Sequence, residues 1–252
     1  MIVERERAFH DRRYADDPRS ATHKYYAVES GAAAYDAGLH DVAAGSDVLE
    51  YGCGGGSKGF DLAARGASVT GIDISPVAIA DAEAEASRRG VDARFVAMDA
   101  HRLDFADRSF DVVCGSGILH HLDLGAALPE VARVLRPGGF GLFYEPLGTN
   151  PIINLYRRLT PKLRSPDEHP LVPADLDLAR ASFRRVDTEV HSCFALAGAV
   201  LGRLGPAGRL TAWLVRFDRW LFRRWPWTQR FAWVIVIRLA EPISTDGIGS
   251  DR

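Results

Sequence analysis

The sequence predicts an α/β fold: a doubly wound, mostly parallel seven-stranded sheet with helices on both faces, an N-terminal helical cap and a helical insertion near the C-terminus. Three observations carry this expectation. Between 45 and 145, short apolar runs alternate with helical stretches, the pattern of βαβ units joined by right-handed crossovers. A glycine-rich turn follows the first of those runs directly. Hydrophobic residues make up 47% of the 252, enough for one sizeable core, and no Pro/Ser/Gly-rich linker divides the chain.

Taken in order, Val3–Tyr14 and Lys24–Val42 read as helices of a cap over 1–44. Asp47–Tyr51 is a buried strand running into Gly52-Cys53-Gly54-Gly55-Gly56-Ser57. A helix over Lys58–Arg65 ends at Gly66, and Ser68–Ile74 is the second strand. Ser75 and Pro76 then supply an N-cap and a proline at the first helical position, and Gly90 stops that helix. Ala93–Ala97 and Phe110–Cys114 are the third and fourth strands. Leu124–Leu135 is helical, with Leu124, Leu128, Val131 and Leu135 along one face. Pro137-Gly138-Gly139 should break it before a fifth strand, Phe140–Tyr144. Beyond, within 146–252, the reading is a loop over Thr160–Pro173, a strand over Ser182–Cys193, an amphipathic helix over Arg209–Arg224 and a last strand over Phe231–Leu239. All of this is expected to form a single domain, 1–252, with the core over 45–145.

Charge and cysteine usage narrow the class. Net charge is −2, unevenly placed: residues 1–150 carry 15 Lys+Arg against 23 Asp+Glu, and residues 151–252 carry 16 against 10. The basic half suits an anionic substrate or surface, but the composition is far from that of a nucleic-acid-binding domain. Cys53, Cys114 and Cys193 are few, odd in number and widely spaced, which argues against a disulfide framework or a zinc ribbon. The charged N-terminus lacks the apolar stretch of a signal peptide, and Cys193–Gly202 and Phe231–Ile237 are too short to span a bilayer. The expected location is cytoplasmic, with peripheral contact at the inner membrane face as an option.

In an open parallel sheet, a ligand sits beyond the carboxyl ends of the strands, where the topology switches direction. The Gly52–Gly56 loop leaves the first strand there, and its glycines allow close backbone approach. Gly54, Gly56 and Gly59 also satisfy G-x-G-x-x-G, so the glycines alone do not select a cofactor. The flanking residues do. Asp73 ends the second strand about 20 residues on, where a carboxylate can accept both ribose hydroxyls. Asp99, within Met98-Asp99-Ala100, ends the third strand and can accept from an adenine amino group. Glu50 precedes the glycines.

Together, Glu50-x-Gly52-x-Gly54-x-Gly56, Ile72-Asp73, Met98-Asp99-Ala100, Phe110-Asp111 and Leu135–Gly139 resemble the ordered motifs of class I, Rossmann-like S-adenosylmethionine-dependent methyltransferases of the small-molecule type. The resemblance covers roughly 45–145. It implies S-adenosyl-L-methionine as cofactor and S-adenosyl-L-homocysteine as product. Gly52, Gly54 and Gly56 would pass under the methionine moiety, and Asp73, with Ile74 beside it, would bind the ribose. Asp99, between Met98 and Ala100, would bind the adenine, Glu50 would order the loop, and Asp111 would be structural.

Methyl transfer to a protonated nucleophile benefits from a general base. Gly115–Leu122 should pass the methyl group, making His120 and His121 candidates, though adjacent side chains rarely aim at one target. Glu145, ending the fifth strand, is the third candidate. Tyr14, Tyr25, Tyr26 and the His10-Asp11 pair suit either a lid or ordinary packing. Asp167-Glu168-His169 has metal-ligand residue types, but three consecutive residues seldom converge on one ion, and no metal is expected.

On Arg209–Arg224, residues Leu210, Trp213, Leu214, Phe217, Trp220 and Leu221 share a face, with Arg209, Arg216, Arg219 and Arg223 largely elsewhere and Trp225-Pro226-Trp227 following. Such a segment reads first as a lid over the acceptor, with a dimer surface or membrane contact through 209–227 as alternatives. All favour a small-molecule acceptor with an apolar part: a secondary metabolite, a lipid-like or isoprenoid compound, or a glycosylated derivative. Two rivals stand beside this enzyme. An NAD(P)-dependent oxidoreductase would share the glycine loop, but no Tyr is followed four residues later by Lys. A non-catalytic, membrane-associated cofactor-binding protein would have little need of an intact glycine loop.

Overall fold

The computed structural model describes residues 2–16, 29–55, 58–160, 168–195 and 208–243. Its centre is a seven-stranded sheet of order β3-β2-β1-β4-β5-β7-β6. The strands are β1 (Asp47–Tyr51), β2 (Ser68–Asp73), β3 (Ala93–Ala97), β4 (Phe110–Ser116), β5 (Leu135–Pro146), β6 (Phe183–His191) and β7 (Val234–Pro242). The first five pair in parallel, and β7 inserts antiparallel between β5 and β6. The strand order reverses direction at β1, which puts the crevice for a ligand at the carboxyl ends of β1 and β4.

The helices are α1 (Ile2–Asp16), α2 (Glu29–His40), α3 (Lys58–Ala64), α4 (Pro76–Arg89), α5 (Leu124–Val134), α6 (Pro151–Leu159), α7 (Pro173–Ser182) and α8 (Gly208–Arg224). Alternation along the strands divides them between two faces. Val48, Val112 and Leu142 pack on one face with Tyr35 and Leu39 of α2. Leu49, Val113 and Phe143 pack on the other with Leu124, Leu128 and Val131 of α5. Neighbours in sequence thus belong to opposite layers, as the two-residue period of a strand buried on both faces requires.

Several elements fall where the sequence places them, and the exceptions have physical reasons. Ser75 caps α4, and Gly90 ends it in the left-handed region at φ 65°. Pro137-Gly138-Gly139 does not separate helix from strand: β5 already begins at Leu135, paired with Phe110, and the glycines sit inside the strand. Gly138 has φ 85°, and the register shifts between Phe110 and Val112, so the turn residues are spent on an irregularity within the ladder. Within the expected loop over Thr160–Pro173, Leu171 bridges to Leu147. Pro151 and Pro173 start helices α6 and α7 that the sequence reading lacks.

α8 departs from the single apolar face expected of it. Phe222 is buried, whereas Leu210, Trp213 and Trp220 are exposed. Buried Asp218 divides the two sets. Its carboxylate accepts the backbone N–H groups of Cys193, Phe194 and Ala195 at 2.9 Å each, anchoring α8 to the exit of β6.

Candidate active site

The first strand carries buried Glu50 to the mouth of the glycine loop. A buried carboxylate is costly unless hydrogen-bonded, and Glu50 meets that need at the N-terminus of α3. It accepts from Lys58 N–H and Gly59 N–H, each at 3.1 Å. A Cβ at Gly59 would lie 2.6 Å from Glu50 Oε2, so glycine permits this approach. Glu50 therefore spends both oxygens on holding helix and loop. The loop itself turns through left-handed backbone, Gly52 at φ 67° and Gly54 at φ 54°, a region open to glycine at little cost. Gly56 lies outside the described residues.

The loop is latched to Asp73. Gly54 N–H donates to Asp73 Oδ2 and Ser75 N–H to Oδ1, both at 2.9 Å. Each oxygen keeps a lone pair, so the carboxylate can still accept from two vicinal hydroxyls. Removal from solvent raises the Asp73 carboxyl above its usual range, opposed by those two N–H groups and by the nearby His10 and His121. Ile74 follows, partly exposed, and Met98 N–H donates to the Asp73 carbonyl at 2.9 Å. At the end of β3, Asp99 Oδ1 accepts from His101 N–H at 2.9 Å and pairs with His101 Nδ1 at 2.7 Å. His101 Nε2 accepts from Asp123 N–H at 3.0 Å, so the ring carries its proton on Nδ1. Among the described residues no donor reaches Asp99 Oδ2, which is left to accept from an amino group. Ala100 is buried, its carbonyl accepting from Tyr51 Oη. Asp111 serves the sheet: it accepts from Asp47 N–H and pairs with Arg136.

One carboxylate with room for a diol, a second with an oxygen open to an amino group and a glycine backbone between them would suit the adenosine and methionine parts of S-adenosylmethionine. The first two features would also suit a nicotinamide dinucleotide. The sheet argues against that rival, because the dinucleotide fold has six parallel strands in the order 3-2-1-4-5-6, without an antiparallel strand between the last two.

On the acceptor side, Glu145 is fully buried at the end of β5. Its Oε1 accepts from Ile118 N–H and Leu119 N–H at 2.9 Å each, and Oε2 lies 2.8 Å from His120 Nδ1. Burial pushes its carboxyl up to about 7, against the pull of the two N–H groups. His120 is buried with it, and the His120 and His121 rings lie 4.1 Å apart. The two rings lie side by side but take different partners: His120 meets Glu145, and His121 meets the N-terminal helix. There His121 Nδ1 lies 3.2 Å from Glu6 Oε2, which is 3.4 Å from His10 Nε2. Burial and the neighbouring His120 lower the His121 pKa, so its imidazole is neutral near pH 7.

Glu6 had no signal in the sequence beyond lying four residues before His10, one helical turn away. α1 is further tied down where Ser75 Oγ, in the turn after β2, donates to Asp11. Two sets of metal-ligand types, Glu6/His10/His121 and His120/His121/Glu168, hold ligand atoms within 4.8 Å of one another. The distances within the first set are those of a carboxylate between two imidazoles. The side chain of Tyr14, and all of Tyr25, Tyr26 and Asp167, lie outside the described residues.

Residues 48–139 match the family described as a methyltransferase domain. Over 107 residues, 41% of this chain and 39% of the relative, the sequence is 41% identical to 27-O-demethylrifamycin SV methyltransferase of Amycolatopsis mediterranei. Over 96 residues, 38% of each chain, it is 44% identical to demethylmenaquinone methyltransferase of Beutenbergia cavernae. The match thus spans well under half the length of either relative. The fold of magnesium protoporphyrin IX methyltransferase from Synechocystis PCC 6803 superposes with TM-score 0.62 at 14% identity, covering 96% of this chain and 100% of that one. Residues 48–139, which carry the glycine loop, Asp73, Asp99 and the β4 turn, thus match a methyltransferase domain, and the chain shares its fold with a solved methyltransferase.

Proposed function

We propose that this protein transfers the methyl group of S-adenosylmethionine to a small-molecule acceptor with an apolar part, releasing S-adenosylhomocysteine. One observation carries the reading. His121 Nδ1 lies 3.2 Å from Glu6 of α1, and the same helix is bonded through Asp11 to Ser75, whose N–H is held by Asp73, the carboxylate suited to the cofactor ribose. A proton acceptor and a cofactor anchor therefore share one rim of the sheet. The two curated relatives, named for 27-O-demethylrifamycin SV and demethylmenaquinone, support a small-molecule acceptor over a nucleic acid.

When bound, the cofactor supplies a methyl carbon already activated for in-line displacement, so the protein's task is alignment and exclusion of water. Gly52 and Gly54 give the backbone close approach, Asp73 accepts from the ribose hydroxyls, and Asp99 Oδ2 accepts from the adenine amino group. His121 takes the proton of the attacking group, and Glu6 holds the ring and offsets its positive charge. His120 and Glu145 act beneath it as positioning residues, fixing the Ile118–His121 turn through three hydrogen-bonding contacts. α1 lines this rim with Glu6 and His10.

The acceptor can be found by mass spectrometry of extracts supplied with isotopically labelled cofactor. With it, His121→Ala should lower kcat about 10²–10⁴-fold while leaving calorimetric affinity for S-adenosylhomocysteine nearly unchanged. Because the His121 pKa lies below its ordinary 6.5, turnover should hold until the pH falls under that value. Glu6→Gln removes a group that raises this pKa, so the acid limb should move further down. Wild-type kcat in His121→Ala would remove His121 from the chemistry.

A further inference from the structure

The exposed half of α8 combines tryptophans with arginines and almost no compensating acid. At about 100° per residue, Leu210, Trp213, Phe217 and Trp220 form one stripe, and Arg209, Arg216 and Arg223 run beside it. The buried side, marked by Asp218 and Phe222, lies roughly 150° round the helix from that stripe. Trp213 and Trp220 are 59% and 51% exposed, and Trp227, just beyond the helix, is 61% exposed. The rings brace one another: Trp213 stacks on Phe217 at 5.5 Å, Phe217 meets Trp220 at 5.6 Å, and Trp220 meets Trp225 edge-on at 5.2 Å.

Charge decides the kind of occupant. α8 carries five arginines (Arg209, Arg216, Arg219, Arg223 and Arg224) and a single acid, Asp218. That acid is buried and committed to the backbone of Cys193, Phe194 and Ala195. Its charge is thus absent from the outer face, which is purely cationic between its tryptophans. A partner here must accept both apolar wedges and positive charge, which an anionic phospholipid surface does.

A second helix presents a like apolar stripe at the same end of the sheet. On α6, Ile152, Leu155, Tyr156 and Leu159 follow i, i+3, i+4, i+7 spacing and all face outward, Ile152 and Leu159 more than 70% exposed. Exposed Arg158 lies among them. Asn150, which caps α6, donates through Nδ2 to the carbonyl of Phe231, in the turn that follows α8. The two apolar stripes are therefore tied to one end of the sheet, the end where β5 delivers Glu145.

We infer that α8 and α6 dock this protein peripherally on an anionic phospholipid membrane, tryptophans in the headgroup layer and arginines on the phosphates. The docked end is the one bearing the candidate site, so an apolar acceptor could enter from the bilayer. No described helix is long and apolar enough to cross a membrane, and docking needs none.

The test uses the full chain with vesicles of phosphatidylglycerol and phosphatidylcholine in equal parts, against phosphatidylcholine alone. The wild type should sediment with the anionic vesicles at about 50 mM salt and leave them near 500 mM, as screened charges require. Tryptophan emission should be quenched by lipids brominated high on their acyl chains. The triple variant Arg209→Ala, Arg216→Ala, Arg223→Ala, with an unchanged thermal melt, should lower the partition coefficient about 10²-fold or more. Failure to bind at low salt would overturn the inference, as would equal binding by the triple variant. So would a lipid-free dimer that Trp213→Ser dissolves, since a second copy would then cover the face. The assay reads binding without turnover, so its failure leaves the methyl-transfer proposal standing.

Discussion

Replacing Glu145 by glutamine isolates one buried proton. Glu145 has no exposed surface, and burial lifts its carboxyl from 4.5 to about 7 despite two backbone N–H donors. The folded state therefore holds this proton more tightly than the unfolded chain does. Its contribution to stability is complete below about 4.5 and is lost as the pH rises through about 7. Worked through the linkage relation, the wild type should lose about 2–3 kcal/mol from this group between pH 5 and pH 8. Glu145→Gln keeps an oxygen for Ile118 and Leu119 but has no proton to release, so that loss should vanish. Urea unfolding of both proteins at the two pH values checks it, and the difference between them cancels every other titrating group. At an ordinary denaturant slope, the change is about 1–2 M in the wild-type midpoint relative to the variant. Parallel pH dependences would refute the reasoning, because Glu145 would then be ionised throughout and held as a full ion pair with His120.

Two further perturbations address the cofactor side and the anchor of α8. Asp73→Ala should weaken S-adenosylhomocysteine binding by about 1–3 kcal/mol, since hydrogen bonds to a charged group are lost; unchanged affinity by calorimetry would take Asp73 out of the site. Asp218→Ala deprives Cys193, Phe194 and Ala195 of their acceptor and should cost about 2–4 kcal/mol in denaturant unfolding, whereas a wild-type midpoint would show that water replaces the carboxylate.

The cofactor half of the fold was legible because its signals are local. A β-run, a glycine turn and a strand-end aspartate each act within about 25 residues. Asp73 reads as a site residue from its interval alone, and the structure places it on the glycine loop through Gly54. The later half was less legible for a definable reason. Prolines 151 and 173 look like loop residues in a sequence but serve as first-turn residues of α6 and α7, where a missing N–H costs nothing. Likewise, Pro137-Gly138-Gly139 signals a turn and is spent on an irregularity inside β5. α8 misled differently. An amphipathic pattern shows that two faces differ, not which one the protein covers. The burial of Asp218, a charged residue, beside Phe222 shows which side faces in.

The same distinction explains why the acceptor chemistry could not be assigned from the histidine pair alone. The His120-His121 pair offers two rings side by side and does not say which would meet an acceptor. The choice is made by carboxylates distant in sequence. Glu145, 25 residues on, claims His120 from within the core. Glu6, from a helix more than 100 residues earlier, meets His121 at the rim. A buried carboxylate raised by desolvation suits a fixed support, whereas an imidazole kept neutral by partial burial suits a proton acceptor. The N-terminal helix is therefore part of the candidate site and not a cover laid over it. Removing α1 would strip His121 of its orienting carboxylate while leaving the glycine loop, Asp73 and Asp99 in place, so cofactor binding and turnover should separate along that line.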